Sequence, residues 1–131
     1  DLAHAELRHA YLAKARLWRA NLREAELNDA CLEAADLTAA NLVQANLTRA
    51  DLRRATLEAA DLTGAKLAGA KLEGANLRRA RLHDVVLSAL SLRQTHLQGA
   101  TYTATTVWPK KFDPQAAGAR LVDERLASTE E

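Results

Sequence analysis

Side chains able to carry a proton or ligate a metal are few and scattered. The four histidines are His4, His9, His83 and His96, and the single cysteine is Cys31. None of them stands with a neighbouring carboxylate at a metal-ligand spacing, so neither a metal nor a cofactor is expected. His83 beside Asp84 is a lone pair and reads as structural. Cys31 has no adjacent base to lower its thiol pKa and reads as a free surface thiol rather than a nucleophile. One cysteine also excludes an internal disulfide framework. Gly64, Gly69, Gly74 and Gly99 recur at multiples of five, which fits corner positions following a leucine rather than a phosphate loop. No enzyme is expected. The chemistry on offer is recognition chemistry: Trp18 flanked by Arg16 and Arg19, with Tyr11 close by, and the arginine pairs Arg53–Arg54 and Arg78–Arg79. Tryptophan with arginine is the composition of protein-binding hot spots.

The framework that positions these residues is written in the leucines. Leu occurs at 2, 7, 12, 17 and every fifth position to Leu97, twenty times in succession, and Tyr102 and Val107 extend the register. Two residues before each Leu stands a small residue, Ala at all sixteen positions from Ala5 to Ala80. Val85, Leu90 and Thr95 interrupt that column and Ala100 restores it. A helix turns about 100° per residue, so a stride of five would scatter the leucines around the axis. A coiled coil needs a period near 3.5. Ala and Leu two apart instead match the alternation of a strand, with the remaining residues turning a corner.

These units resemble the pentapeptide repeat family, whose loose consensus is Ala-(Asp/Asn)-Leu-X-X. Ala20-Asn21-Leu22-Arg23-Glu24, Ala35-Asp36-Leu37-Thr38-Ala39, Ala40-Asn41-Leu42-Val43-Gln44 and Ala60-Asp61-Leu62-Thr63-Gly64 match it closely. The resemblance covers about residues 1–107. It implies an all-β solenoid, a right-handed quadrilateral β-helix with four units per square coil of 20 residues, in about five coils. At the β-ladder spacing of roughly 4.8 Å the rod is about 25 Å long. Four leucines would then fill each layer, with the small residues in its corners, and a larger residue in the small column would widen the square.

The composition agrees with a repeated cross-section. The chain has 131 residues, 48% of them hydrophobic but only 4% aromatic, so its core must be built almost wholly from Leu and Ala. A formal charge of +1 argues against both an acidic nucleic-acid mimic and a basic nucleic-acid binder. A topoisomerase-binding DNA mimic, known within the family, is therefore the disfavoured alternative. No apolar run approaches the ~18 residues of a membrane span. In a square coil, residues 20 apart stack, which predicts a charge ladder through Glu33, Arg53, Glu73 and Arg93. It also predicts the pairs Asp51–Lys71 and Asp29–Arg49. The faces containing Leu12 and Leu17 carry an excess of cations.

The ends depart from the repeat. Val85, Leu90, Thr95 and Val86 predict a wider, more apolar coil on which residues 108–131 dock as a cap. Asp113 followed by Pro114 is a helix-start signal, and a short helix is predicted over 114–127. Trp108, Phe112, Leu121 and Val122 are the expected capping side chains, with Ala117 and Leu126 nearby. The string Trp108-Pro109-X-X-Phe112-Asp113-Pro114 with Ala116-Ala117-Gly118-Ala119 resembles the ending of family members from photosynthetic bacteria. Leu2 lies in the first coil with an open ladder edge, so pairing of two copies through that end is an expectation. The overall expectation is a non-enzymatic scaffold that binds another protein on a rigid rod, in the cytoplasm, or in a lumen or periplasm if a leader has been removed.

Overall fold

The computed structural model describes residues 1–122. Each five-residue unit folds alike. The amide of the small residue donates to the carbonyl of the Leu three places earlier, as in Ala25 to Leu22 at 3.0 Å and Ala55 to Leu52 at 3.1 Å. The third residue of this turn has positive φ, for example 58° at Glu24 and 60° at Arg54. Positive φ at that position alone is the signature of a type II turn. Gly64 and Gly74 occupy the same corners at 68° and 74°, where glycine adopts the conformation without strain. Asp or Asn before the Leu closes the corner from the other side. The Oδ1 of Asp36 accepts the Thr38 amide at 3.0 Å, and that of Asn41 accepts the Val43 amide at 3.0 Å. Short polar side chains capture backbone two residues on in this way, which gives the Asp/Asn position its physical meaning.

Four corners bring the chain back onto itself. Parallel pairing joins residues 20 apart: Glu6 with Glu26, Tyr11 with Cys31, Arg16 with Asp36, and onward to Arg81 with Thr101. Between coils, the Leu amide donates to the carbonyl before the next Leu, as in Leu52 to Lys71 at 2.8 Å. Leucine and alanine therefore form continuous internal columns. Leu22 to Leu62 and Ala25 to Ala60 are all buried. Polar residues at the remaining positions face out.

The predicted widening has a definite structural consequence. Val85 and Leu90 are buried within the small column. Beside them the pairing of Lys66 with Val86 and of Lys71 with Ser91 is missing. The amides of Leu67 and Leu72 have no backbone acceptor, whereas those of Leu62 and Leu77 bond to Arg81 and His96 at 2.9 and 2.7 Å. Bulk in the corner thus parts two of the four faces. Thr95, in the same column, partly closes the seam by donating its hydroxyl to the Leu72 carbonyl at 3.1 Å.

Beyond Tyr102 the register slips. Val86 pairs with Val107, 21 residues on. The extra residue sits in Thr103–Thr106, where a turn closes from the Thr106 amide to the Thr103 carbonyl at 3.0 Å. The Thr106 hydroxyl donates to the Leu82 carbonyl at 2.7 Å, and the Thr103 amide donates to that hydroxyl at 3.1 Å. Hence Val107 does not continue the inward column: it is 44% exposed. Trp108 takes the inward place, edge-on to Tyr102 at 5.2 Å and stacked on Phe112 at 5.4 Å. Residues 109–112 line an open groove together with Leu90, Leu92 and Arg93.

The helix predicted over 114–127 is corrected in its described part: no helix exists within residues 1–122. Asp113 does cap a turn, its Oδ1 accepting the Gln115 and Ala116 amides at 3.1 Å each. Gly118, at φ 94°, then ends that turn. The Gly118 amide donates to Gln115 and the Ala119 amide to Pro114, both at 3.0 Å. This is the Schellman closure that stops a helix after its last turn. The chain leaves as a two-residue strand, Arg120–Leu121, pairing in parallel with Thr101–Tyr102. Leu121 is therefore no helical cap. It stands at the end of the described ladder, 54% exposed, with a coil on one side only. Val122 is half-buried and its amide bonds to the Tyr102 carbonyl at 2.8 Å. Ala117 is half-buried against the core. Leu126 and the rest of 123–131 lie outside the described residues.

Candidate interaction surface

The square coil sorts the predicted arginines by what they touch. Arg53 and Arg54 face carboxylates of their own rod. Arg53 makes a two-pronged contact with Asp51, at 2.9 and 2.7 Å, and Arg54 reaches Glu33 at 2.6 Å. The Asp51 carboxyl is held below the usual carboxylate range, first by its hydrogen bond from Arg53, while that bond raises the Arg53 guanidinium further. Arg79 is bound to Glu58, whose pKa it lowers, and Arg78 lies 3.3 Å from the His96 ring. These four arginines are engaged on the rod, not presented together.

The charge ladder is corrected accordingly. Of the ladder Glu33, Arg53, Glu73 and Arg93 only the first rung forms, at 3.9 Å, and it does not run on: Arg53 bonds more closely to Asp51, Arg54 also takes Glu33, and Glu73 and Arg93 make no ion pair among the described residues. Lys71 likewise does not pair with Asp51. An arginine side chain is longer than the spacing between coils, so stacking alone does not choose its partner. Asp29–Arg49 forms as predicted, with both guanidinium nitrogens on the carboxylate at 2.8 and 2.9 Å, and Arg49 holds Asp29 below its ordinary pKa. Glu26–Asn46, at 3.0 Å, and Arg79–Glu58 were not foreseen. Their signal was present as donors and carboxylates 20 or 21 residues apart.

Arg16, Trp18 and Arg19 behave differently. Leu17 points inward, so Arg16 and Trp18 on either side of it both point out. Trp18 is 57% exposed, and the Arg19 guanidinium lies over its ring, 5.6 Å from the centroid. Lys14, Arg16 and Arg19 have no carboxylate within ion-pair distance among the described residues. Tyr11, on the adjoining face, is 81% exposed. The next coil places Thr38 under Trp18 and Ala39 under Arg19. Because both are short, an open trough forms, lined by Trp18, Arg19, Asp36, Thr38 and Ala39. Asp36 is occupied within its own corner, accepting the Thr38 hydroxyl at 2.6 Å as well as its amide.

The Thr38 hydroxyl, then the Thr38 amide, hold the Asp36 carboxyl ionised below its ordinary pKa. A depressed folded-state pKa gives stability that is complete above the unfolded value and is lost as pH falls through the folded one. Asp29, Asp51 and Glu58 share that sign. Thermal stability should therefore be level from neutrality to about pH 5 and fall below about pH 4. Asp36→Asn keeps the acceptor, as Asn41 does, and should make the acid limb shallower at little cost. Asp36→Ala should cost about 1 kcal/mol. Equal losses in the two variants, measured by urea unfolding, would refute this account of the corner.

The remaining chemistry-bearing residues stay apart. His83 is buried with its Nε2 2.9 Å from the Thr101 hydroxyl, and His4 lies 3.4 Å from Glu24. Among the described residues no cluster of His, Cys, Asp and Glu is able to hold a metal. Cys31 is a half-exposed free thiol. No helix of the described residues is long and apolar enough to cross a membrane.

A corner-closed, leucine-filled square coil with period 20 defines a repeat solenoid with outward-facing polar residues. The family model for pentapeptide repeats matches residues 1–38, 30–67 and 60–99, and the chain belongs to that family. The match ends before the C-terminal string. A pentapeptide repeat protein from Nostoc, alr5209, is similar at 36% identity and TM-score 0.76, covering 78% of this chain and 84% of that one. AT2G44920, a pentapeptide repeat protein from the Arabidopsis thaliana thylakoid lumen, is 28% identical with TM-score 0.60, over 88% and 70% of the two chains. QnrB1, a plasmid-mediated fluoroquinolone resistance protein, shares the fold at 17% identity and TM-score 0.55, over 95% and 81%. These likenesses make the solenoid a right-handed β-helix, and none of them indicates an enzyme family. No curated protein matches the sequence.

Proposed function

We propose that this protein is a non-enzymatic scaffold for protein–protein interaction, a stiff rod whose anchor is Trp18. One observation carries the reading: a large aromatic stands in solvent beside cations that the rod leaves unpaired, whereas its other arginine pairs are engaged. Buried aromatic and arginine anchors supply most of the energy at protein interfaces. Among the described residues leucine and alanine fill the interior, and the depressions beside Trp18 and beside Phe112 are open troughs, which suits a surface that binds rather than a cleft that encloses a small substrate. A DNA-mimic reading asks for a strongly negative surface, and the Trp18 edge is cationic. Affinity capture from the native source, repeated with Trp18→Ala, tests the proposal. The substitution should remove the captured partner while thermal stability stays within about 0.5 kcal/mol of the parent. An unchanged set of partners would defeat it.

A further inference from the structure

The chemistry of the Trp18 edge specifies more than a protein partner. We infer that it receives an acidic, extended polypeptide segment in which carboxylates and apolar side chains alternate along one face, at every second residue; this rests on the interaction reading above. Lys14, Arg16 and Arg19 stand within six residues of one another and have no carboxylate within ion-pair distance among the described residues, though Arg16, stacked on Asp36, adds to the field that lowers the pKa of that carboxyl. Arginine recognises carboxylates with two parallel hydrogen bonds. Arg19 lies over Trp18, which orients its guanidinium without a carboxylate. The trough next to this cluster asks for something different. Its walls are the Trp18 ring and the Ala39 methyl, and Asp36 lines it as an ionised carboxylate already satisfied by Thr38. An acidic group entering the trough would meet Asp36, so the trough takes an apolar side chain and the carboxylates fall outside it, on the cations.

Arg16 and Trp18 are two residues apart on one strand-like segment and project to the same side. An extended partner repeats on the same two-residue period, roughly 6.8 Å. A carboxylate on Arg16 and an apolar group beside Trp18 therefore stand two residues apart on one face of such a partner, a carboxylate-x-apolar-x spacing. The trough opens toward the coil that follows Trp18, and every group lining it belongs to residues 18–39. A nucleic-acid backbone fits less well, because its evenly spaced phosphates would meet Asp36.

The test uses the full chain labelled with ¹⁵N, in which the indole signals of Trp18 and Trp108 serve as reporter and internal control. A decapeptide repeating Asp-Ser-Leu-Ser, which brings Asp and Leu to one face in the extended form, should shift the Trp18 signal saturably and leave Trp108 in place. Arg16→Gln with Arg19→Gln should weaken that binding about tenfold or more, and added salt should weaken it as well. The Trp108 signal verifies that each variant is folded. The corresponding Lys-Ser-Leu-Ser decapeptide or a short DNA duplex binding as tightly would overturn the assignment. So would a motionless Trp18 signal, or an affinity indifferent to the two arginines. If Trp18→Ala abolishes capture of the native partner while the Asp-Ser-Leu-Ser peptide fails to bind, the scaffold reading stands and the acidic-partner inference falls. If the peptide binds as described but capture is indifferent to Trp18, the inference stands and the scaffold reading falls.

Discussion

Leu52→Ala should destabilise the rod by about 3 kcal/mol, whereas Leu17→Ala should cost about a third of that. Both residues hold the same place in their five-residue units. Leu52 is fully buried, between Leu32 and Leu72 in its column. Truncating it removes transfer energy and leaves a cavity, and the backbone ladders on both sides prevent the coil from collapsing into it. Leu17 lies in the first described coil and is only partly buried, so less contact is lost and the site can relax. In a solenoid each coil contacts only its neighbours, so the penalty follows position along the axis rather than residue type. Urea unfolding followed by circular dichroism measures both. Equal losses, or a larger one at Leu17, would mean that the leucine column is not the common source of stability.

How far the sequence disclosed this molecule depends on which interaction decides each feature. The stride of five determines which side chains are inside, because nothing else brings twenty leucines together, and the pairing at 20 follows from it. Trp18 was legible as an outward residue for the same reason. The register slip was not legible. Thr103, Thr105 and Thr106 are alike enough that the sequence does not show where the extra residue goes, and only their hydroxyl bonds to one another and to Leu82 place it. That slip alone exchanges Val107 for Trp108 as the inward residue. The described part of the predicted helix, 114–122, failed through a signal that was visible: Gly118 is a stop of equal weight to the Asp113-Pro114 start, and the apolar residues beyond it suggested continuation. The ladder through Arg53 failed because its partner is chosen by side-chain reach. Asp51, two residues back on the same outward side, lies closer than Glu33 in the preceding coil, at 2.7 against 3.9 Å.

The wide coil supplies the second large effect, since it shows what bulk in the small column does. Between Lys66 and Val86, and between Lys71 and Ser91, the ladder is open beside Val85 and Leu90. Ala55→Leu places comparable bulk where the ladder is now intact. Ala55 is fully buried, its carbonyl accepts the Asn76 amide at 2.9 Å, and the Leu52 amide just before it bonds to Lys71 at 2.8 Å. Three more heavy atoms cannot fit without moving the corner outward, and overpacking of this kind costs about 1–3 kcal/mol. The loss should appear locally as well as globally. In the parent, amide exchange at Leu67 and Leu72 should be faster than at Leu62 and Leu77, which keep their acceptors. In Ala55→Leu, the amide of Leu37, which donates to the Thr56 carbonyl at 2.7 Å, should join the fast set. A rod in which Leu67 and Leu62 exchange alike, or in which Ala55→Leu is as stable and as protected as the parent, would show that corner volume does not control pairing between coils.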